Sequence, residues 1–169
     1  MTAARRIKRP APRGFSLIEL VIVVVIIGII GAIAVPRMSR GAKGASDSAL
    51  VANLAVLRNA LDLYSTEHTG AFPAFADIDD ALLTYTDGTS AAGNTSTTKV
   101  SPYLYGPYIR AIPKLPVGDN KGASAFTATA PTATAVALYG WYYNATTGQV
   151  LANCKDGDVD DAGDPYNTY

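Results

Sequence analysis

From residue 15 to residue 35 the chain offers an unbroken apolar run in which only Ser16 and Glu19 are polar. As a helix these 21 residues rise about 31 Å, against a bilayer hydrocarbon core of about 30 Å, so the run can cross a membrane once. The remainder of the 169 residues alternates apolar clusters with Gly, Ala, Thr, Asp and Pro. The chain therefore reads as one domain plus a separate membrane or filament segment.

Charge is distributed just as unevenly. Arg5, Arg6, Lys8, Arg9 and Arg13 place five of the fourteen basic residues ahead of the apolar run, with no acid among them. That order keeps the start of the chain in the cytoplasm. Without it, nine basic side chains face fourteen acidic ones, a net charge of −5 that gives no electrostatic case for binding nucleic acid. An ordinary secretory signal ends its apolar region after about 7–15 residues, at a small-residue cleavage site on the far side. Gly31, Ala32 and Ala34 stand where such a cut would fall, but the run is longer and continues into more helix, so the helix is expected to be retained.

Glu19 is the costly residue, since an acid in a spanning helix is unfavourable by up to about 3 kcal/mol at the bilayer centre and less near an end. A cut between Gly14 and Phe15 would create an α-amino group with a reference pKa of about 7.7–8, one helical turn from Glu19 and able to pair with it in the same chain or a neighbour. The alternative is a carboxyl that stays protonated in lipid. Gly28, Gly31 and Pro36 are also out of place, because Gly costs about 1 kcal/mol and Pro about 3 in a helix interior. Close packing through small residues is one explanation.

The sequence Arg13-Gly14-Phe15-Ser16-Leu17-Ile18-Glu19, with the basic leader before it and the apolar run and Pro36 after it, resembles the class III signal of type IV pilins and of the pseudopilins of type II secretion. The resemblance implies that a membrane aspartyl prepilin peptidase cuts between Gly14 and Phe15, that the Phe15 amine is methylated, and that Glu19 pairs with that amine on an adjacent subunit. It also implies that the stretch through Gly28, Gly31 and Pro36 partly unwinds when the subunit passes from membrane to filament, which is the second explanation for those residues.

Beyond a polar stretch at 39–48, Leu50, Leu54, Leu57, Leu61 and Tyr64 recur at i, i+4, i+7, i+11 and i+14, one stripe of an amphipathic helix. Asn53, Arg58, Asp62 and Glu67 lie off it, so the stripe should pack on a small sheet of the same chain. Gly70 and Pro73 mark the helix end. Residues 78–85 suggest one or two helical turns, and 86–98 a Gly/Ser/Thr/Asn insertion on the surface. Residues 106–116 carry three prolines and favour an extended path; they are similar to the Gly-Pro-Tyr segment between helix and sheet of major pseudopilins. An Ala/Thr-rich loop at 123–135 follows, then a β-hairpin of 137–143 and 149–153 around a turn. Trp141 and its neighbouring tyrosines are read as core against the leucine stripe. The expected fold is α+β: a long N-terminal helix, transmembrane in its first half and amphipathic in its second, on a small antiparallel sheet. Its parts are a cleaved leader 1–14, an assembly helix 15–36, an amphipathic helix 37–68 and a head 69–169.

Little in the sequence promises catalysis. His68, the only histidine, falls at a helix end and is expected to be solvated, and there is no P-loop, dinucleotide fingerprint or paired-cysteine metal motif. Cys154 stands alone and reads as a buried thiol. Five carboxylates lie within 156–164. Asp156, Asp158, Asp160 and Asp161 on this Gly-containing loop suit Ca²⁺, which takes 6–8 oxygens, although the EF-hand pattern fails at Asp161 and Asn167. A solvated acidic tail is the plain alternative. Type II major pseudopilins resemble the chain here too, since they end in an Asp/Gly-rich loop that binds calcium.

The resemblance implies no enzyme but a subunit that polymerises with its own copies and with minor pseudopilins or pilins on an inner-membrane assembly platform, its head in the periplasm of a bacterium. A type II secretion pseudopilus is favoured over a type IV pilus for adhesion, motility or DNA uptake, because many such pilins close a C-terminal loop with a second cysteine. A single-pass tethered binding domain that never polymerises is the rival from another class.

Overall fold

The computed structural model describes residues 14–89 and 93–169. The leader up to Arg13 lies outside them, as do residues 90–92. Contacts divide the chain between Arg40 and Gly41. Helix α1 covers Leu17–Glu67. Up to Arg40 it is a helix without a covering: Leu17–Ala34 is long and apolar enough to cross a membrane, and none of it is buried. Gly28 and Gly31 would meet nothing within 4 Å if they carried a Cβ, so no contact among the described residues accounts for them. The backbone stays helical through Pro36, although proline has no N–H to give the carbonyl four residues back.

From Gly41 onward α1 belongs to the head. Leu50, Leu54, Leu57 and Leu61 are at most 1% exposed, as the stripe requires. The helix ends where Thr69 and Gly70 adopt positive φ angles of 57° and 87° and the Gly70 N–H returns to the Ser65 carbonyl at 2.8 Å, closing the last turn. A 3-10 turn at Phe75–Asp77 leads into the short helix α2, Ile78–Leu83. Strands β1, Tyr85–Thr86, and β2, Thr95–Ser96, pair antiparallel, so the expected featureless insertion is a hairpin. The Asp87 carboxylate organises it by accepting the Thr89 N–H at 2.9 Å, the Thr89 hydroxyl at 2.7 Å and the Asn94 amide at 2.8 Å.

The main sheet has three strands in the order β3, Phe126–Thr127; β4, Trp141–Asn144; and β5, Gln149–Ala152. β4 and β5 form the expected hairpin, with Trp141 opposite Ala152 and Tyr143 opposite Val150. Because side chains alternate along a strand, these two pairs share one face, and they join the leucines of α1 in one core with Phe126, Leu115 and Ile78. Tyr142, between them, is buried as well. Two expectations are corrected. The sheet is mixed rather than antiparallel, since β3 runs parallel to β4. The Ala/Thr-rich segment is not wholly a surface loop, since its Phe126 and Thr127 are buried as that third strand. Gly140 makes this approach possible: a Cβ there would lie 2.3 Å from the Ala123 carbonyl oxygen, while its N–H donates to the Ala125 carbonyl at 2.9 Å.

Candidate processing and assembly site

Gly14, Phe15 and Ser16 precede the first helical residue, and all three are exposed, Phe15 at 88%. The Gly14–Phe15 bond thus lies in non-helical, accessible backbone, the form in which a peptidase can take hold of a chain. Glu19 sits one turn into α1, where its Oε2 accepts the Ser16 N–H at 2.8 Å, and the Ser16 carbonyl accepts the Leu20 N–H at 3.3 Å. The carboxylate therefore satisfies one of the amide groups a helix start leaves open, and its charge complements the positive end of the helix dipole. Behind it, Leu17, Ile18, Leu20 and every large apolar residue to Ile33 stay at least 40% exposed. Sequence reasoning located Glu19 but missed this capping bond, which the Ser-x-x-Glu spacing signals.

The acidic segment is organised by protein donors. Asp160 accepts the N–H groups of Ala162 at 2.8 Å and Asp164 at 2.9 Å and also the Tyr169 hydroxyl. Those bonds, the Tyr169 hydroxyl first, hold its carboxyl below the usual range. Asp156 accepts the Asn167 amide at 2.7 Å, and Asp161 pairs with Lys43 at 3.3 Å. Asp158 faces Lys155 at 3.8 Å, and Lys155 also reaches Asp119 at 2.5 Å. The Tyr166 hydroxyl donates to Asp47 on α1 at 2.5 Å. Only Asp158 Oδ2 is buried without a partner here. The four aspartates turn to separate partners, and among the described residues no three His, Cys, Asp or Glu side chains form a group able to hold a metal.

His68 is a correction: it is 1% exposed, its ring stacked on Tyr64 with centroids 3.7 Å apart and its Nδ1 bonded to the Tyr64 carbonyl at 2.8 Å. The signal was present, since position 68 continues the stripe of 50, 54, 57, 61 and 64. Cys154 is a buried free thiol whose pKa is pushed up to about 12 by burial first, then by the charges of Asp158 and Asp119, which makes it a poor nucleophile.

Residues 9–35 match the prokaryotic N-terminal methylation motif. No curated protein and no solved structure matches the chain. The matched residues include the Gly14–Phe15 junction, Glu19 and the exposed apolar half of α1, and they point to a structural role rather than an enzymatic one. The chain thus carries, ahead of an α+β head, an N-terminal signal similar to that of type IV pilins and pseudopilins.

Proposed function

We propose that the chain is the structural subunit of a type II secretion pseudopilus. Prepilin peptidase cuts it between Gly14 and Phe15, the Phe15 amine is methylated, and the subunit waits in the bacterial inner membrane with its head in the periplasm. It then polymerises through the first half of α1 with its own copies and with minor pseudopilins, on an inner-membrane assembly platform, to support protein export. The observation that carries the reading is the apolar segment Leu17–Ala34, none of it buried among the described residues, behind an acid at its start. Some 18 residues of apolar helix are stable only in lipid or against like helices, and an acid among them asks for a cation. The isolated Cys154, buried in the head, supports the secretion reading over pilins that close a C-terminal loop by a disulfide.

Intact mass and N-terminal analysis of membrane-extracted protein test the first step, with a methylated Phe15 as the expected terminus. A retained leader, or a cut near Ala34, rejects the reading. Deleting the gene and scoring export of folded proteins separately from surface filaments tests the second step: lost export with intact surface filaments is expected, and the reverse assigns the chain to a type IV pilus.

A further inference from the structure

Leu138, just ahead of β4, carries two costs that nothing among the described residues repays. Its φ is 73°, in the left-handed region where a leucine side chain crowds the following carbonyl, and the side chain is 84% exposed, so no burial offsets the strain. Glycine would make the same turn without that crowding. The turn is nevertheless held firmly. Asn153, fully buried, spends its whole side-chain amide on it: Oδ1 accepts the Val136 N–H at 3.2 Å, and Nδ2 donates to the Val136 carbonyl at 2.7 Å and the Tyr139 carbonyl at 2.8 Å. Asn120 Nδ2 donates to the Val136 carbonyl at 3.0 Å and to the Asn153 carbonyl at 3.1 Å. Leu138 and its neighbour Tyr139, 37% exposed, therefore form a fixed apolar knob with little conformational freedom left to lose on docking.

The knob belongs to a neutral stretch of chain, since no charged residue or histidine occurs between Lys121 and Lys155. Charged groups are likewise scarce at the centre of protein interfaces. The same head carries an open groove of about 530 Å³, lined in part by Ala42, Pro116, Val117, Val159 and Tyr166. Two of the charged groups at this groove are already engaged, Lys43 by Asp161 at 3.3 Å and Asp158 by Lys155 at 3.8 Å, so a neutral occupant disturbs neither pair. An aliphatic side chain with an aromatic one beside it is the kind of anchor such a groove takes. Leu138 is not among the lining residues and stays exposed, so the knob does not fill the groove of its own chain.

We infer that Leu138 and Tyr139 of one copy dock in this groove on the head of the next. Knob and groove are different parts of one surface, so the contact is head-to-tail and repeats into an open filament. The inference rests on the reading of the chain as a polymerising subunit, and it adds a contact between heads to the one proposed between the first halves of α1.

Paired cysteines test it on the full chain, in membranes of cells that express it with its assembly platform. Oxidising Leu138→Cys with Val159→Cys should give a ladder of disulfide-linked dimers, trimers and larger species, and either substitution alone should give none; the native Cys154 is buried and takes no part. No linked species, dimers alone, or linkage by Leu138→Cys alone overturns the inference. If Val159→Cys does not fold, as judged by Trp141 fluorescence, the exposed groove residue Lys121→Cys takes its place and the same outcomes decide. Leu138→Asn separates docking from folding, because asparagine tolerates left-handed backbone and offers no apolar anchor. Shear-released filaments should fall by about tenfold or more while the melting temperature holds or rises. Filaments at the parent level overturn the inference, and so does a loss of filaments accompanied by a lower melting temperature. A parent chain that releases no filaments refutes polymerisation itself, and the disulfide ladder still decides the contact between heads.

Discussion

Replacing Leu57 by alanine removes a side chain that is wholly buried between α1 and the sheet, whereas the same replacement at the adjacent Val56 trims one that is 46% exposed. Leu57 sits in the cluster with Leu54, Leu61, Trp141 and Tyr143, so its loss removes transfer energy and leaves a cavity in a region with little freedom to collapse. Leucine-to-alanine changes at such sites cost about 2–5 kcal/mol, a large part of the roughly 5–15 kcal/mol that holds a domain together. At about 3–5 °C per kcal/mol for a head of this size, the melting temperature should fall by roughly 6–25 °C. Val56→Ala should stay within about 0.5 kcal/mol of the parent. Both can be melted as full chains in detergent with the fluorescence of Trp141, the only tryptophan and fully buried, as reporter. Equal effects at the two positions, or a loss below about 1 kcal/mol at Leu57, would refute the assignment of this stripe to the head's own core.

Two further outcomes separate charge from packing. Glu19→Gln keeps an acceptor for the Ser16 N–H but removes the charge, so membrane insertion should persist while crosslinked subunits and shear-released filaments decline; assembly at the parent level would reject a role for the charge. Cys154, with its thiol pushed up to about 12 by burial, should resist alkylation at pH 8 until the head is unfolded. Because the folded state favours the neutral thiol, its contribution is fully present below about pH 9 and is lost as pH rises towards 12. Cys154→Ala should therefore flatten the decline of the melting temperature across that window, and rapid labelling of the folded chain at pH 8 would contradict the burial.

The parts of the fold that were legible in the sequence are those whose signal repeats. Leucines at intervals of four and three residues fixed the buried face of α1, and an aromatic run before a Thr-Gly turn fixed β4 and β5. β3 was hidden because two residues, Phe126 and Thr127, carry no periodicity, and their pairing depends on Gly140 letting two backbones approach. The β1–β2 hairpin was hidden for a related reason, since side-chain bonds of Asp87 rather than apolar alternation hold it. At the assembly segment the order was reversed: Gly14, Phe15 and Glu19 were recognisable as a pattern, while the local geometry of Glu19 required coordinates. In the acidic segment composition alone suggested an ion, but tyrosine hydroxyls, backbone amides and lysines take up most of its carboxylates. Composition counts charges without saying which donors the fold brings to them.

The position of Glu19 also bears on how assembly would be driven. In the intact chain its carboxylate holds the Ser16 N–H, one residue beyond the Gly14–Phe15 bond. Under the proposed cut, the Phe15 nitrogen changes from an amide to an ammonium next to that contact, so the new charge first meets Glu19 of its own chain. A positive charge at a helix start opposes the helix dipole, and Glu19 in the same chain offsets it. Pairing between subunits must therefore displace an intrachain pair. Exposure supplies a reason for the exchange: Phe15 at 88% and Leu17 at 81% lie open, leaving the intrachain pair at an uncovered helix start. Packing apolar helices around both groups lowers the local dielectric and strengthens whichever pair remains inside it. Removing water alone would strengthen either pair, so under the proposed assembly a preference for the neighbour would have to come from the burial of Leu17–Ala34 against like helices, a gain that only intersubunit packing would bring.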